Sequence, residues 1–191
     1  PAESVQDYEV RYTLNGADAQ VDYKVFCEGA GEISVQLLDA ENKLVAEANS
    51  AEGALCVQNA HLWQVRNAYL YTIVITLKKD GLPVDEYRER IGIRTVEIRG
   101  TKILINGKPV YLKGFGKHED FDILGRGFNW AVAKRDFECM KWTDANCFRT
   151  SHYPYAEEWY QMADEEGFLI IDEVPAVGMM RSTHNFAAAG T

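Results

Sequence analysis

The stretch Asn146-Cys147-Phe148-Arg149-Thr150-Ser151-His152-Tyr153-Pro154, continuing through Tyr155 to Asp172 (YAEEWYQMADEEGFLIID), decides how the chain is read. A short apolar run, Cys147-Phe148, ends abruptly in a polar turn. Trp159, Met162 and Ala163 then recur at three- and four-residue spacing, which predicts a helix, and Gly167 closes it. A second apolar run, Phe168 to Ile171, ends in Asp172-Glu173. Strand, polar turn, helix, glycine stop, strand is one βαβ unit, with its chemistry-capable residues at the strand ends.

Working outward, the pattern before this unit changes character twice. From Tyr8 to about Arg94 the apolar residues alternate. Val21, Tyr23, Val25 and Cys27 interleave with Asp22, Lys24, Phe26 and Glu28; Ile33, Val35 and Leu37 and then Tyr71, Ile73, Ile75 and Leu77 behave alike. Asn15-Gly16, Gly29-Ala30-Gly31, Glu52-Gly53 and Asp80-Gly81 break the runs as turns. About seven short strands of this kind predict an antiparallel β-sandwich of immunoglobulin type over residues 1–95. His61-Leu62-Trp63 reads as a loop packed on it.

After Arg94 the punctuation shifts. Val96–Arg99 and Lys102–Ile105 flank Gly100-Thr101, and Asn106-Gly107 is a second tight turn. Val110-Tyr111-Leu112 reads as the next strand, running into Gly114-Phe115-Gly116, where the chain can turn sharply. Lys117 to Asp122 is dense in titratable groups. From Trp130 to Asp144 the spacing is helical, with Val132, Phe137, Met140 and Trp142 on the covering face and Asn129 as its cap. Residues 96–191 thus alternate strands and helices, which implies parallel pairing, either an open doubly wound sheet or the first βα units of an incomplete (β/α)8 barrel. A closed barrel needs roughly 250 residues, so most of one would be missing.

Composition excludes several classes. The chain has 191 residues, 47% of them hydrophobic, and a net charge of −9 with no basic cluster, which argues against nucleic acid or an anionic membrane surface. The apolar runs are too short to span a bilayer. Cys27, Cys56, Cys139 and Cys147 lack C-x-x-C spacing and are expected to be four buried free thiols of a cytoplasmic protein. The four histidines (61, 118, 152, 184) are scattered, so no metal is expected, and no cofactor motif is present.

In either α/β fold a ligand site lies at the carboxyl ends of the strands. Those ends supply Lys117, His118, Glu119 and Asp120, then Arg149, Ser151, His152 and Tyr153, then Asp172 and Glu173. Each has a bland alternative: His118 as a loop histidine bonded to a carbonyl, Arg149 as the ion-pair partner of Asp172 or Glu173, His152 as a brace for its turn. Glu119, Asp120, Asp172 and Glu173 are formally available for glycoside chemistry, which needs a carboxylic acid and a carboxylate. Adjacent strand residues point oppositely, however, so Asp172 and Glu173 do not make such a pair. The residues alone indicate a polar-ligand site and no particular reaction.

Asn146 to Pro154, with Trp159-Tyr160, Asp164, Gly167 and Phe168 to Ile171, resembles the first signature of glycoside hydrolase family 2. Gly114 to Asp120, Gly125-Arg126-Gly127-Phe128, Asp172-Glu173 and Ala176-Val177-Gly178 are similar to the branch of that family that hydrolyses β-glucuronides. Leu62-Trp63, Tyr69-Leu70-Tyr71 and Gly92-Ile93-Arg94 resemble its immunoglobulin-like second domain. The resemblance implies a retaining glycosidase with a carbohydrate (β-glucuronide) substrate, of which this chain is a fragment. The jelly-roll domain would precede Pro1. The two catalytic glutamates, the first in an Asn-Glu-Pro motif absent here, would follow Thr191. By the resemblance, His118 and His152 contact the sugar, Arg149 orients the nucleophile, and Asp120, Asp172 and Glu173 support the site. The segment from Met179 to Thr191 would begin a variable active-site loop. The full-length parent is expected to be a homo-oligomer and the fragment to be inactive and to self-associate through its open sheet edge. A β-galactosidase-type member and a non-enzymatic carbohydrate-binding module are the competing readings.

Overall fold

A computed structural model describes residues 3–175. Ala176-Val177-Gly178, His184 and the expected loop from Met179 to Thr191 lie outside the described residues. The chain divides into two compact units, residues 1–111 and 112–191.

The first unit opens with seven strands: β1 (Ser4–Asn15), β2 (Asp18–Glu28), β3 (Glu32–Leu38), β4 (Leu44–Ala48), β5 (Glu52–Val57), β6 (Tyr71–Lys79) and β7 (Leu82–Ile91). They form two antiparallel sheets, ordered β1-β2-β5 and β4-β3-β6-β7. The period-two pattern is the cause: Val21, Tyr23 and Val25 turn inward from β2 to meet Val35 and Leu37 of β3 and Ile73, Ile75 and Leu77 of β6. Each such fully buried aliphatic side chain stabilises the fold by roughly 1.5–3 kcal/mol.

Glu52-Gly53 is not a turn but opens β5. A Cβ at Gly53 would lie 2.9 Å from the Tyr23 hydroxyl, which is itself hydrogen-bonded to Ser50 at 3.0 Å, so glycine is there for close approach. Trp63 is wholly buried, as its loop suggested. Its indole lies under the Arg94 guanidinium at 4.5 Å, and its backbone N–H donates to the Ile93 carbonyl. A side chain at Gly92 would strike that indole at 2.6 Å, which accounts for Gly92-Ile93-Arg94 and Trp63 together. A small antiparallel sheet follows, of β8 (Val96–Arg99), β9 (Lys102–Ile105) and β10 (Lys108–Val110), in the order β10-β9-β8. By its contacts it groups with the first compact unit, which runs to residue 111.

The second unit contains β11 (Gly114–Lys117), a short hairpin of β12 (Asp120–Phe121) and β13 (Gly125–Arg126), α1 (Trp130–Trp142), β14 (Cys147–Thr150), α2 (Glu157–Glu166) and β15 (Leu169–Ile171). β11, β14 and β15 pair in parallel in that order. Gly114-Phe115-Gly116 is therefore strand and not turn. Gly114 faces Cys147, and a Cβ there would sit 1.9 Å from the Cys147 carbonyl oxygen, so only glycine permits the pairing. Val110 instead ends β10, and Tyr111 is exposed.

Asn129 caps α1, its side-chain oxygen accepting the Val132 N–H. Ala133, Phe137 and Met140 form the buried stripe, whereas Trp142, expected on it, is 87% exposed because it lies two residues past Met140. α2 buries Trp159, Met162 and Ala163 and stops at Gly167, which adopts φ 72°. Phe137 meets Phe148 and Phe168 edge-on at 5.8 and 5.2 Å, closing the core of this unit. Among the described residues the parallel sheet has three strands and does not close, and no helix is long and apolar enough to cross a membrane.

All four cysteines are free, but only Cys147 is buried. Cys56 lies between the buried Leu55 and Val57 on β5 and so points out, and Cys139 sits on the solvent side of α1 beside buried Met140. An apolar neighbourhood in sequence does not specify which face a residue takes.

Candidate active site

The site is built on the carboxyl ends of β11, β14 and β15. At the end of β14, Arg149 reaches toward the chain leaving β15 and donates from Nη1 to Glu173 Oε1 at 2.7 Å. His152 Nδ1 lies 3.2 Å from the other Glu173 oxygen, Oε2. One carboxylate thus bridges a guanidinium and an imidazole. The hydrogen bond and charge of Arg149 hold the Glu173 carboxyl below the usual range, with His152 adding to the effect.

Asp172 turns the other way, as strand alternation requires. Its Oδ1 accepts the Thr150 hydroxyl at 2.8 Å and the Tyr160 hydroxyl at 2.7 Å. Burial, then the bond to Asp172, pushes the Tyr160 phenol up. Thr150 Oγ1 also accepts the Glu173 N–H at 2.9 Å, so one buried hydroxyl pins both acidic residues. The alternative of Arg149 as an ion-pair partner is realised with Glu173 and not with Asp172.

His118 follows β11 and is exposed. Its ring lies edge-on to that of His152 with centroids 5.7 Å apart, and 6.1 Å from Tyr153. The Arg126 guanidinium stacks over Tyr153 at 3.8 Å. Asp120 pairs across the hairpin with Arg126 and lines, with His118, Lys117, Asp136 and Phe115, a cavity of about 450 Å³. His118, Arg149, His152 and Glu173 are therefore linked through direct contacts, Asp172 backs them through Thr150, and Asp120 adjoins His118.

Glu119, one of the four acids considered for catalysis, is 5% exposed, and its Oε1 accepts the Ala156 N–H and the Trp159 Nε1–H, each at 3.1 Å. It serves the N-terminus of α2, where the capping residue, Ala156, makes no side-chain bond of its own. Thr150 and Tyr160 are not singled out as site residues by the sequence, whereas Lys117 is, at the end of the first strand. Lys117 pairs with Asp136 at 2.7 Å and lies 3.9 Å over the Trp159 ring. Among the described residues no three His, Cys, Asp or Glu side chains gather as a metal site would need.

Comparison with known proteins gives this geometry its class. Residues 3–94 match "Glycosyl hydrolases family 2", and residues 96–189 match "Glycosyl hydrolases family 2, TIM barrel domain". The chain belongs to glycoside hydrolase family 2. Its relatives include a β-glucuronidase of Paenibacillus borealis, 46% identical over 95% of this chain and 31% of the relative. The human β-glucuronidase is 42% identical over 94% of this chain and 29% of the relative. Among solved structures, the β-glucuronidase of Ruminococcus gnavus in complex with D-glucaro 1,5-lactone is 70% identical, with a TM-score of 0.93 over 97% of this chain and 32% of that one. The same enzyme has been solved with uronic isofagomine (TM-score 0.93). The chain spans about a third of the length of the relatives it matches.

Proposed function

We propose that these 191 residues are part of a retaining β-glucuronidase that hydrolyses the O-glycosidic bond of β-D-glucuronides, with both catalytic glutamates supplied by residues outside this stretch. The observation that carries the reading is the Arg149–Glu173–His152 bridge beside His118. It is a rigid set of hydrogen-bonding groups at the strand ends where a sugar would bind, on a chain 70% identical to an enzyme solved with D-glucuronic acid-type ligands. The acids present are occupied elsewhere: Glu119 by α2, Glu173 by Arg149 and His152, Asp172 by Thr150 and Tyr160. They support the site and do not perform the displacement.

In this reading Arg149 and His152 present fixed donors to the sugar and to the carboxylate that attacks it, and His118 faces the same ligand. The test compares release of an aryl chromophore from an aryl β-D-glucuronide by the 191-residue chain and by a chain extended to the length of its relatives. Only the extended chain is expected to turn over, with kcat/KM falling by roughly 100-fold in Arg149→Ala. Turnover by the short chain, or preference of the long one for a β-galactoside, would overturn the proposal.

A further inference from the structure

We infer that Glu119 is a positioning residue of the sugar site: it acts through the backbone to hold His118 against His152, and touches no substrate itself. The inference rests on the glycosidase reading above and deepens it.

The residues at the end of β11 alternate in role. Lys117 and Glu119 turn down into the protein, while His118 between them is exposed at the rim. Every link on either side of His118 is held. The Lys117 carbonyl accepts the Tyr155 hydroxyl, and the His118 carbonyl accepts Lys117 Nζ at 3.0 Å. The Glu119 N–H donates to the Tyr153 hydroxyl at 3.2 Å, and the Glu119 carbonyl accepts the Gly127 N–H at 3.1 Å. The Glu119 side chain then anchors the whole turn, one oxygen receiving both the Ala156 N–H and the Trp159 indole N–H.

The partners of this turn share one origin. Tyr153, Tyr155, Ala156 and Trp159 all lie within eight positions after His152 along the chain, in the connection that leads from β14 into α2 and in the first turn of α2. The segment carrying His118 and the segment carrying His152 are therefore stapled directly to each other, and the staple is bound at its base by Glu119. The ring separation of 5.7 Å between the two histidines is the geometry this staple sets. A buried carboxylate oxygen shared by two N–H donors has no slack, because moving it leaves both donors unpaired. Without it the His118 turn keeps the backbone bonds from Gly127 and Ser151 to the Glu119 and Lys117 carbonyls, but its remaining side-chain tethers are hydroxyls and one lysine, each on a rotatable side chain.

The experiment uses the full-length enzyme. Glu119→Ala removes the acceptor, whereas Glu119→Gln keeps a carbonyl oxygen able to receive both N–H groups. For Glu119→Ala, kcat/KM on an aryl β-D-glucuronide and affinity for D-glucaro-1,5-lactone are expected to fall roughly 10- to 100-fold, the scale of a site displaced by about an ångström. Glu119→Gln should restore both to within about threefold of the parent, on the same displacement argument. Met162→Ala, a truncation in the same core at a side chain that bonds to no part of the turn, serves as the stability control: it lowers Tm but leaves kcat/KM per folded molecule unchanged. If Glu119→Ala behaves as Met162→Ala does, or if Glu119→Gln is as impaired as Glu119→Ala, the positioning role is refuted. If the parent enzyme fails to hydrolyse the glucuronide at all, the functional reading beneath it falls first, and the two failures are told apart by that control.

Discussion

Replacing Thr150 with valine tests how the acidic pair after β15 is held. The two side chains have nearly the same shape, and Thr150 is fully buried, so packing is preserved and only the hydroxyl is lost. That hydroxyl donates to Asp172 Oδ1 at 2.8 Å and accepts the Glu173 N–H at 2.9 Å. Asp172 is exposed and keeps the Tyr160 hydroxyl, so its loss is partly made good by water. Assigning about 1 kcal/mol to that bond and about 1–2 kcal/mol to an amide left without a partner gives a destabilisation of about 2–3 kcal/mol. For a chain of this size that lowers Tm by roughly 4–12 °C. Thr150→Ser keeps both bonds and loses one buried methyl, worth about 1 kcal/mol. Thermal unfolding of the three chains, followed by circular dichroism, should rank them wild type, serine, valine. A valine chain that melts at or above the serine chain would show that the hydroxyl does not anchor the pair.

Thiol reactivity should separate the four cysteines: Cys56 and Cys139, both exposed, react first with an aromatic disulfide, whereas Cys147, whose thiol is buried and pushed up by burial, reacts only on unfolding. Equal rates at all four would contradict the strand and helix faces assigned here. Burial alone would raise the Glu166 carboxyl, but the hydrogen bonds and charges of Lys134 and Lys141 outweigh it and hold the group below the usual range. Its contribution is therefore present above the ordinary glutamate value of about 4.3 and lost as pH falls through the lower folded value. Glu166→Gln should cost about 0.5–1 kcal/mol near pH 7, and the difference should shrink as pH falls through the lowered folded value, read from urea midpoints across an acid series.

The sandwich was legible because its driving force is local in pattern: alternation along β2, β3 and β6 decides inside from outside before any partner is known. The βαβ unit was legible for the same reason at helical period. The first parallel strand was not, because Gly114 and Gly116 carry no hydrophobic signal and their use depends on Cys147 and Arg149, more than thirty positions later. Glycines read as turns at 53 and 114 are contact points instead, where a Cβ would collide with Tyr23 or with the Cys147 carbonyl. The site residues were visible as a density of titratable groups at strand ends. Which acid does which task was not, since Glu119 and Asp120 look equivalent in sequence. Only the arrival of α2 shows that one of them is enclosed by backbone and indole N–H groups.

That distinction decides the chemistry open to these carboxylates. A general acid must be protonated near neutral pH, yet Glu173 is held low by Arg149 and gains a further bond from His152, so it stays ionised. Both Glu173 oxygens and Asp172 Oδ1 accept hydrogen bonds from Arg149, His152, Thr150 and Tyr160, which tie these two acids to the strand ends. Glu119 is enclosed by the start of α2. Asp120 is exposed beside His118, and Asp172, also exposed, faces Thr150 and Tyr160. The described rim gathers the donors Arg149, His152 and His118 at the strand ends. The acids at its strand ends are the braces that keep those donors in place.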